Sequence, residues 1–357
     1  MKKYILIFLL PFILLTSCNK PNTNAEKDKS ENTKIETPAS DKNNNYTIKN
    51  YFPFKENIRM KYEGKGNEFA EKSVYTDYIQ GDRIQLRIVN PGTTSANVLE
   101  IKDGELRAIA SQGEFYHRDS IIDTKNDNYE ILLKEPLAKG TSWTLANGSK
   151  RFISDVDKEI ETPAGKFKAI EVTTEDTESK TFDYYVLNIG LVKTVFQSKG
   201  LEVITSLQKI EENVPVIQTV KFYYPNYNED KIIFVNRTLR FNTNNDLKSI
   251  LEKNFKEVPN KNINKVMPEN VKINKVSVDS KANIVKIDVT DNFVKEMNAG
   301  SGLEAAILRS ITNTLGDYYN VDKVSITLSG KPYASGHIIL KENETLKVDY
   351  KGVSEYK

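Results

Sequence analysis

"NAGSGLEAAILRSITNTLGDYYNVDKVSITLSGK", residues 298–331, decides how the C-terminal third of the chain is read. Leu303, Ile307, Ile311 and Leu315 recur at helical spacing, with Ala306 and Thr314 beside them. Such an apolar stripe makes one helix face that packs on a sheet. Ser301 followed by Glu304 has the spacing of a capping box. Gly316 and the run Asp317-Tyr318-Tyr319-Asn320 end the helix, and Val324, Ile326 and Leu328 then alternate as a strand. Gly300 and Gly302 supply backbone freedom where the helix begins. Neither a phosphate-binding loop nor a nucleophile elbow fits. Gly330-Lys331 runs into Pro332, and Gly300-Ser301-Gly302 lacks the flanking spacing of G-x-S-x-G.

Working outward, "TVKFYYP" and "KIIFVNRTLRF" read as strands upstream of this segment. "NDLKSILEKNFKEV" reads as a helix, and "VKINKVSVDSKANIVKIDVT" as a hairpin around Asp279–Asn283. "GHIILKEN" is a candidate last strand, and residues 348–357 read as a fraying tail.

Residues 46–212 have a different texture, of short segments rich in Tyr, Ile, Val, Phe and Thr between Gly, Asn and Asp. Gly81-Asp82 and Asp103-Gly104 sit where two-residue hairpin turns belong. In "RIQLRIVN", Ile84, Leu86 and Ile88 share one face, with Arg83, Gln85 and Arg87 on the solvent face. The expectation is an all-β antiparallel domain, a sandwich or curved sheet, with "EENVPV" (211–216) as a hinge to an α/β domain over 218–347. Tyr51, Phe52, Phe54, Tyr62, Tyr75, Tyr78, Phe115, Tyr116, Trp143, Phe182, Tyr184 and Tyr185 all fall in the β-domain. Most belong in its core. The sharper alternative is that they line a cavity for a lipid or glycan.

The N-terminus gives an address. Lys2 and Lys3 precede an apolar run from Tyr4 to Leu15, then Thr16, Ser17 and Cys18. Charge, length and order are those of a secretory signal over 1–17. Leu15-Thr16-Ser17-Cys18 resembles a bacterial lipobox, which implies lipidation (palmitate) at Cys18 and a membrane anchor on the extracytoplasmic face. Cys18 is the sole cysteine, which excludes disulfides and thiolate metal sites from the rest of the chain. Residues 19–45 contain almost nothing apolar and read as a disordered tether with a reach of roughly 30 Å. Loss of residues 1–17 removes two lysines and no acid, leaving 49 basic and 49 acidic residues. That balance argues against a nucleic-acid partner.

Catalytic and metal motifs are absent or broken. The two histidines, His117 and His337, fall in different expected domains, too few for a zinc site. Ser206-x-x-Lys209 lacks the companion motifs of penicillin-recognising enzymes and lies in a strand-like run. "DTKNDNYE" and "NTNND" lack calcium-loop spacing. No catalytic residue, cofactor or metal is expected.

One family resemblance emerges. Tyr223-Tyr224-Pro225, the phrase Asp288-Val289-Thr290-Asp291-Asn292-Phe293, the helix phrase Ile311-Thr312-Asn313-Thr314-Leu315 and the run Val321 to Lys331 are together similar to the GerM domain of sporulation and spore-germination proteins. The resemblance spans 218–347. It implies an α/β domain with helices on one face of a sheet, a role in protein–protein assembly in the cell envelope, and an envelope protein as partner. Tyr223, Tyr224 and Asn313 are its candidate interaction residues. A carrier or sensor of lipid or glycan is the alternative, and a hydrolase with converging Ser, His and carboxylate groups is a third.

Overall fold

The structure, a computed structural model, describes residues 46–356 except Ser280. The signal, Cys18 and the tether lie outside the described residues.

Twelve strands form one antiparallel sheet: β1 (Ile58–Lys65), β2 (Lys72–Gln80), β3 (Arg83–Val89), β4 (Thr94–Lys102), β5 (Glu105–Gln112), β6 (Glu130–Lys134), β7 (Ser142–Thr144), β8 (Lys150–Thr162), β9 (Gly165–Glu175), β10 (Ser179–Val186), β11 (Gly190–Ser198) and β12 (Leu201–Glu212). Nearly every neighbour in the sheet is also a neighbour in sequence. The exceptions are β1, which pairs with β12, and β6 and β7, which are consecutive yet form the two edges. The sheet therefore curls almost into a barrel with one unzipped seam.

Local turn chemistry explains the hairpins. Gly81 takes φ +58° at the first position of the β2–β3 turn, and Asp103 and Gly104 take +53° and +70° in the β4–β5 turn. Left-handed turns of this kind match the twist of the strands they join. Inside the curl, Ile84, Leu99, Leu106, Leu133, Trp143, Ile153, Val172 and Tyr185 pack into one apolar cluster. A short helix, α1 (Ile48–Tyr51), packs into the same cluster, with the Ile48 backbone N–H on the Glu135 carboxylate at 2.9 Å. Across the seam, Trp143 Nε1 and Arg151 Nη1 both donate to the Ile131 carbonyl, at 3.0 and 2.7 Å. Side chains thus take over where a ladder is missing.

The outward face of β3 departs from expectation. Gln85 and Arg87 are buried, at 0% and 2% exposure, instead of facing water. The long β5–β6 connection covers them. Arg87 donates to the Phe115 and His117 carbonyls, and Gln85 to that of Asp119. The polar stripe satisfies the backbone of an irregular segment, whose buried carbonyls would otherwise go unpaired.

The C-terminal region is α/β. A hairpin of β13 (Val216–Asn226) and β14 (Lys231–Phe241) leads into α2 (Leu247–Lys256), whose Asp246 side chain caps the Lys248 N–H. A second sheet holds β15 (Ile273–Asp279), β16 (Ile284–Val289) and β17 (Lys323–Leu328), with short β18 (Lys331–Pro332) and β19 (Leu346–Lys347) on β17. Short α3 (Phe293–Met297) and long α4 (Ser301–Tyr319) connect β16 to β17, which run parallel. The strands thus divide between two sheets that share one apolar core with α2 and α4, where a single sheet was expected.

Three expectations are corrected here. Ser301 is not the cap of α4: Gly300 holds that position without a side-chain bond, and Glu304 is buried at 1% exposure. The chain end, read as a fraying tail over 348–357, is fastened. In that end, β20 (Ser354–Glu355) lies parallel to β14, and the Tyr356 N–H donates to the Phe234 carbonyl. "EENVPV" is tied down by a bond from the Val214 N–H to the Asn57 carbonyl.

Candidate functional site: a charged junction and two clefts

The sheet meets the C-terminal region through a fully buried arginine. Arg118 comes from the β5–β6 connection and has 1% exposure. Its Nη1 lies 2.5 Å from Asp77 Oδ1, and its Nη2 donates to the carbonyls of Asp77 and Asn242. Arg87 holds the other oxygen of Asp77 at 2.9 Å. The Arg118 guanidinium also lies over the Tyr78 and Phe241 rings. A buried carboxylate between two guanidiniums is stable only because carbonyls absorb the remaining donors.

Around this core, β2 and the β14–α2 loop exchange hydrogen bonds. Thr243 Oγ1 donates to the Thr76 carbonyl, Asn57 and Thr243 bond reciprocally, and the Asn244 N–H donates to the Asp77 carbonyl. The end of α4 closes the junction. Tyr318 Oη accepts from the Arg118 N–H and donates to Gln218, while Tyr319 packs on the His117 ring. Burial, helped by the Arg87 charge, pushes His117 down to about 4, so the ring is neutral near pH 7.

The three candidate interaction residues are placed inside. Tyr224 is fully buried and donates to the Asn254 carbonyl. Tyr223, at 3% exposure, packs between the Phe234 and Tyr350 rings. Asn313 donates to the Asp349 carbonyl and accepts its N–H, fastening the chain end. In this conformation none offers its side chain to a partner, because each is spent on internal packing. Cys18 lies outside the described residues.

The two histidines are far apart in role as well as sequence. His337 Nδ1 lies 2.8 Å from Glu304 Oε2, and Tyr333 Oη donates to the other Glu304 oxygen. Ser335 stands beside them, so a serine, a histidine and a carboxylate do converge. The serine is not poised for attack, since its Oγ accepts the backbone N–H groups of His337 and Ile338. An activated nucleophile needs the imidazole as base. Ser206 lies in β12, on an extended backbone rather than a helix. Among the described residues no group of three or more His, Cys, Asp or Glu side chains is placed to hold a metal. No described helix is long and apolar enough to cross a membrane.

Tyr51, Tyr62, Phe115, Trp143, Tyr184 and Tyr185 are packed in cores, and Tyr116 is exposed. Most of these aromatics thus fill space, and Tyr51 also edges a cleft. Two clefts of the sheet domain are polar-edged. One of about 530 Å³ lies by α1, between Tyr51, Glu135, Pro136 and Val156. One of about 430 Å³ lies at the end of the seam, between Tyr129, Arg151, Thr174 and Thr181. The junction and these clefts were not legible as sites: their residues are scattered over sequence and carry no motif.

A family model described as Germane, sporulation and spore germination, matches residues 221–334. The C-terminal region is GerM-like. The GerM-like region begins with the β13 phrase Tyr223-Tyr224-Pro225 and, as matched, runs into the β18 segment. Solved structures resemble the chain loosely. A protein from Parabacteroides distasonis, provisionally described as a lipoprotein, is 19% identical over 45% of this chain and 98% of its own, with a TM-score of 0.30. An exported protein of YmcC-like fold from Bacteroides fragilis, also provisionally described, is 13% identical over the same shares, at 0.30. The tandem GerMN domains of the sporulation protein GerM from Bacillus subtilis are 18% identical over 37% of this chain and 46% of theirs, at 0.28. No curated protein matches.

Proposed function

We propose that the chain is a lipid-anchored extracytoplasmic protein that serves as a binding and assembly module of the cell envelope in sporulation or spore germination, without enzymatic activity. The Germane match over 221–334 carries this reading. The buried junction supports it, because it joins the GerM-like region to the sheet as one rigid arm. The signal and Cys18 supply the anchor, and the tether supplies standoff from the bilayer. The partner is an envelope protein, met by surfaces of the GerM-like region other than Tyr223, Tyr224 and Asn313.

The decisive experiment has two arms. Labelled palmitate is expected to enter the wild-type protein and not Cys18→Ala. In sporulating cells, site-specific crosslinkers on exposed positions of the GerM-like region should trap one recurring envelope protein. A chain that stays unlabelled and in the cytosol defeats the anchor. Crosslinking that trails off into abundant proteins at random defeats the assembly role.

A further inference from the structure

The seam cleft has a chemistry that neither the junction nor the GerM-like region uses. Its 430 Å³ falls in the size range of small-molecule sites, ~300–1,000 Å³. Asn128, Asp176, Thr174, Ser179 and Thr181 give it amide, carboxylate and hydroxyl groups, and Tyr129 gives it an aromatic ring. Arg151 at its wall is already spent, on Ile131, on Thr174 Oγ1 at 2.7 Å and on the Glu130 carboxylate at 2.7 Å. With that guanidinium neutralised, the Asp176 carboxylate leaves the cleft slightly negative, which disfavours an anion.

A further polar group lies beneath. Asp183 follows Thr181 by two residues on β10, so it shares that face about 7 Å further in. Thr194 Oγ1 bonds its carboxylate at 2.6 Å. Burial pushes the Asp183 carboxyl up, against the pull of Thr194 and of the Arg151 and Lys72 charges.

We propose that the seam cleft binds the neutral end of a sugar chain. Sugar hydroxyls both donate and accept, and the Ser, Thr and Asn side chains here match both needs, while the Asp176 carboxylate accepts. The apolar face of a sugar ring stacks on Tyr129, backed by the Arg107 guanidinium at 4.5 Å. An acyl chain would instead strip water from these hydroxyls and return nothing. This inference is independent of any protein partner.

Trp143 is the sole tryptophan, and its Nε1 shares the Ile131 carbonyl with Arg151, so its emission reports on the cleft. The test titrates the full-length protein, in a detergent without sugar headgroups, with chitotetraose, maltotetraose and an anionic oligogalacturonate. At least one neutral tetrasaccharide should give a saturable change in emission. Thr181→Leu, which fills the cleft, should raise its Kd at least tenfold, and Asp176→Ala about threefold. Should Thr181→Leu fail to fold by its melting curve, Tyr129→Ser at the rim carries the tenfold criterion. The inference is overturned by no saturation with either neutral sugar, by oligogalacturonate binding as tightly, or by an unchanged Kd in the cleft variant.

Discussion

The junction and the seam are two places where this fold joins edges that do not form a ladder, and they are joined in opposite ways. At the junction, Asp77 is enclosed by Arg87 and Arg118, and the spare donors end on carbonyls from both regions. At the seam, Arg151 and Trp143 reach across to one carbonyl, Ile131, and a polar-lined cleft opens at its end. Asp77 sits dry between its two arginines, whereas Glu130, the ionic partner of Arg151, is half open to water. The closed joint is therefore the rigid one, and the open joint is where a foreign molecule can fit.

Three variants break or sharpen this contrast. Arg118→Ala should do the most damage, about 3–5 kcal/mol, because it strands Asp77 and several carbonyls in a dry interior. Urea unfolding should then show two transitions, as sheet and GerM-like region part; a single transition at the wild-type midpoint would mean the junction is not what couples them. Second is pH. The folded His117 titrates at about 4, against 6.5 for an ordinary imidazole. Between those values the unfolded chain binds a proton that the folded chain refuses, so stability declines as pH falls from 6.5 towards 4. The loss is at most about 3 kcal/mol. His117→Phe keeps the ring contact with Phe115 and Tyr319 and should flatten that part of the urea-midpoint profile. Third, Arg151→Met at the seam should cost about 1–2 kcal/mol, since its partners Glu130 and Thr174 can turn to water. A loss as large as that of Arg118→Ala would erase the distinction between the two joints.

How much could be read in advance depended on the range of the interactions involved. The hairpins at Gly81-Asp82 and Asp103-Gly104 were visible because two residues carry the whole turn preference. The α4 stripe was visible because Ile307, Ile311 and Leu315 lie on one face by spacing alone, and all three are buried. The pairing of β1 with β12 was not visible, since it joins residues some 150 positions apart and has no local signature. The alternation in β3 correctly separated two faces, but it could not show that the β5–β6 connection would cover the polar one. Glu304 had the spacing of a cap and instead turned inward to Tyr333 and His337. The chain end looked like a tail because its strand is two residues long and its anchor, Asn313, lies 36 positions upstream.

The pairing of β1 with β12 has a mechanical consequence. Ile58 sits opposite Glu212, so the chain enters and leaves the twelve-stranded sheet at adjacent points. Force applied between Ile58 and Val216 would load this pair and the Asn57 bonds to Val214 and Thr243 first. The outer strands of the sheet, from β8 to β11, hang beside that line of pull.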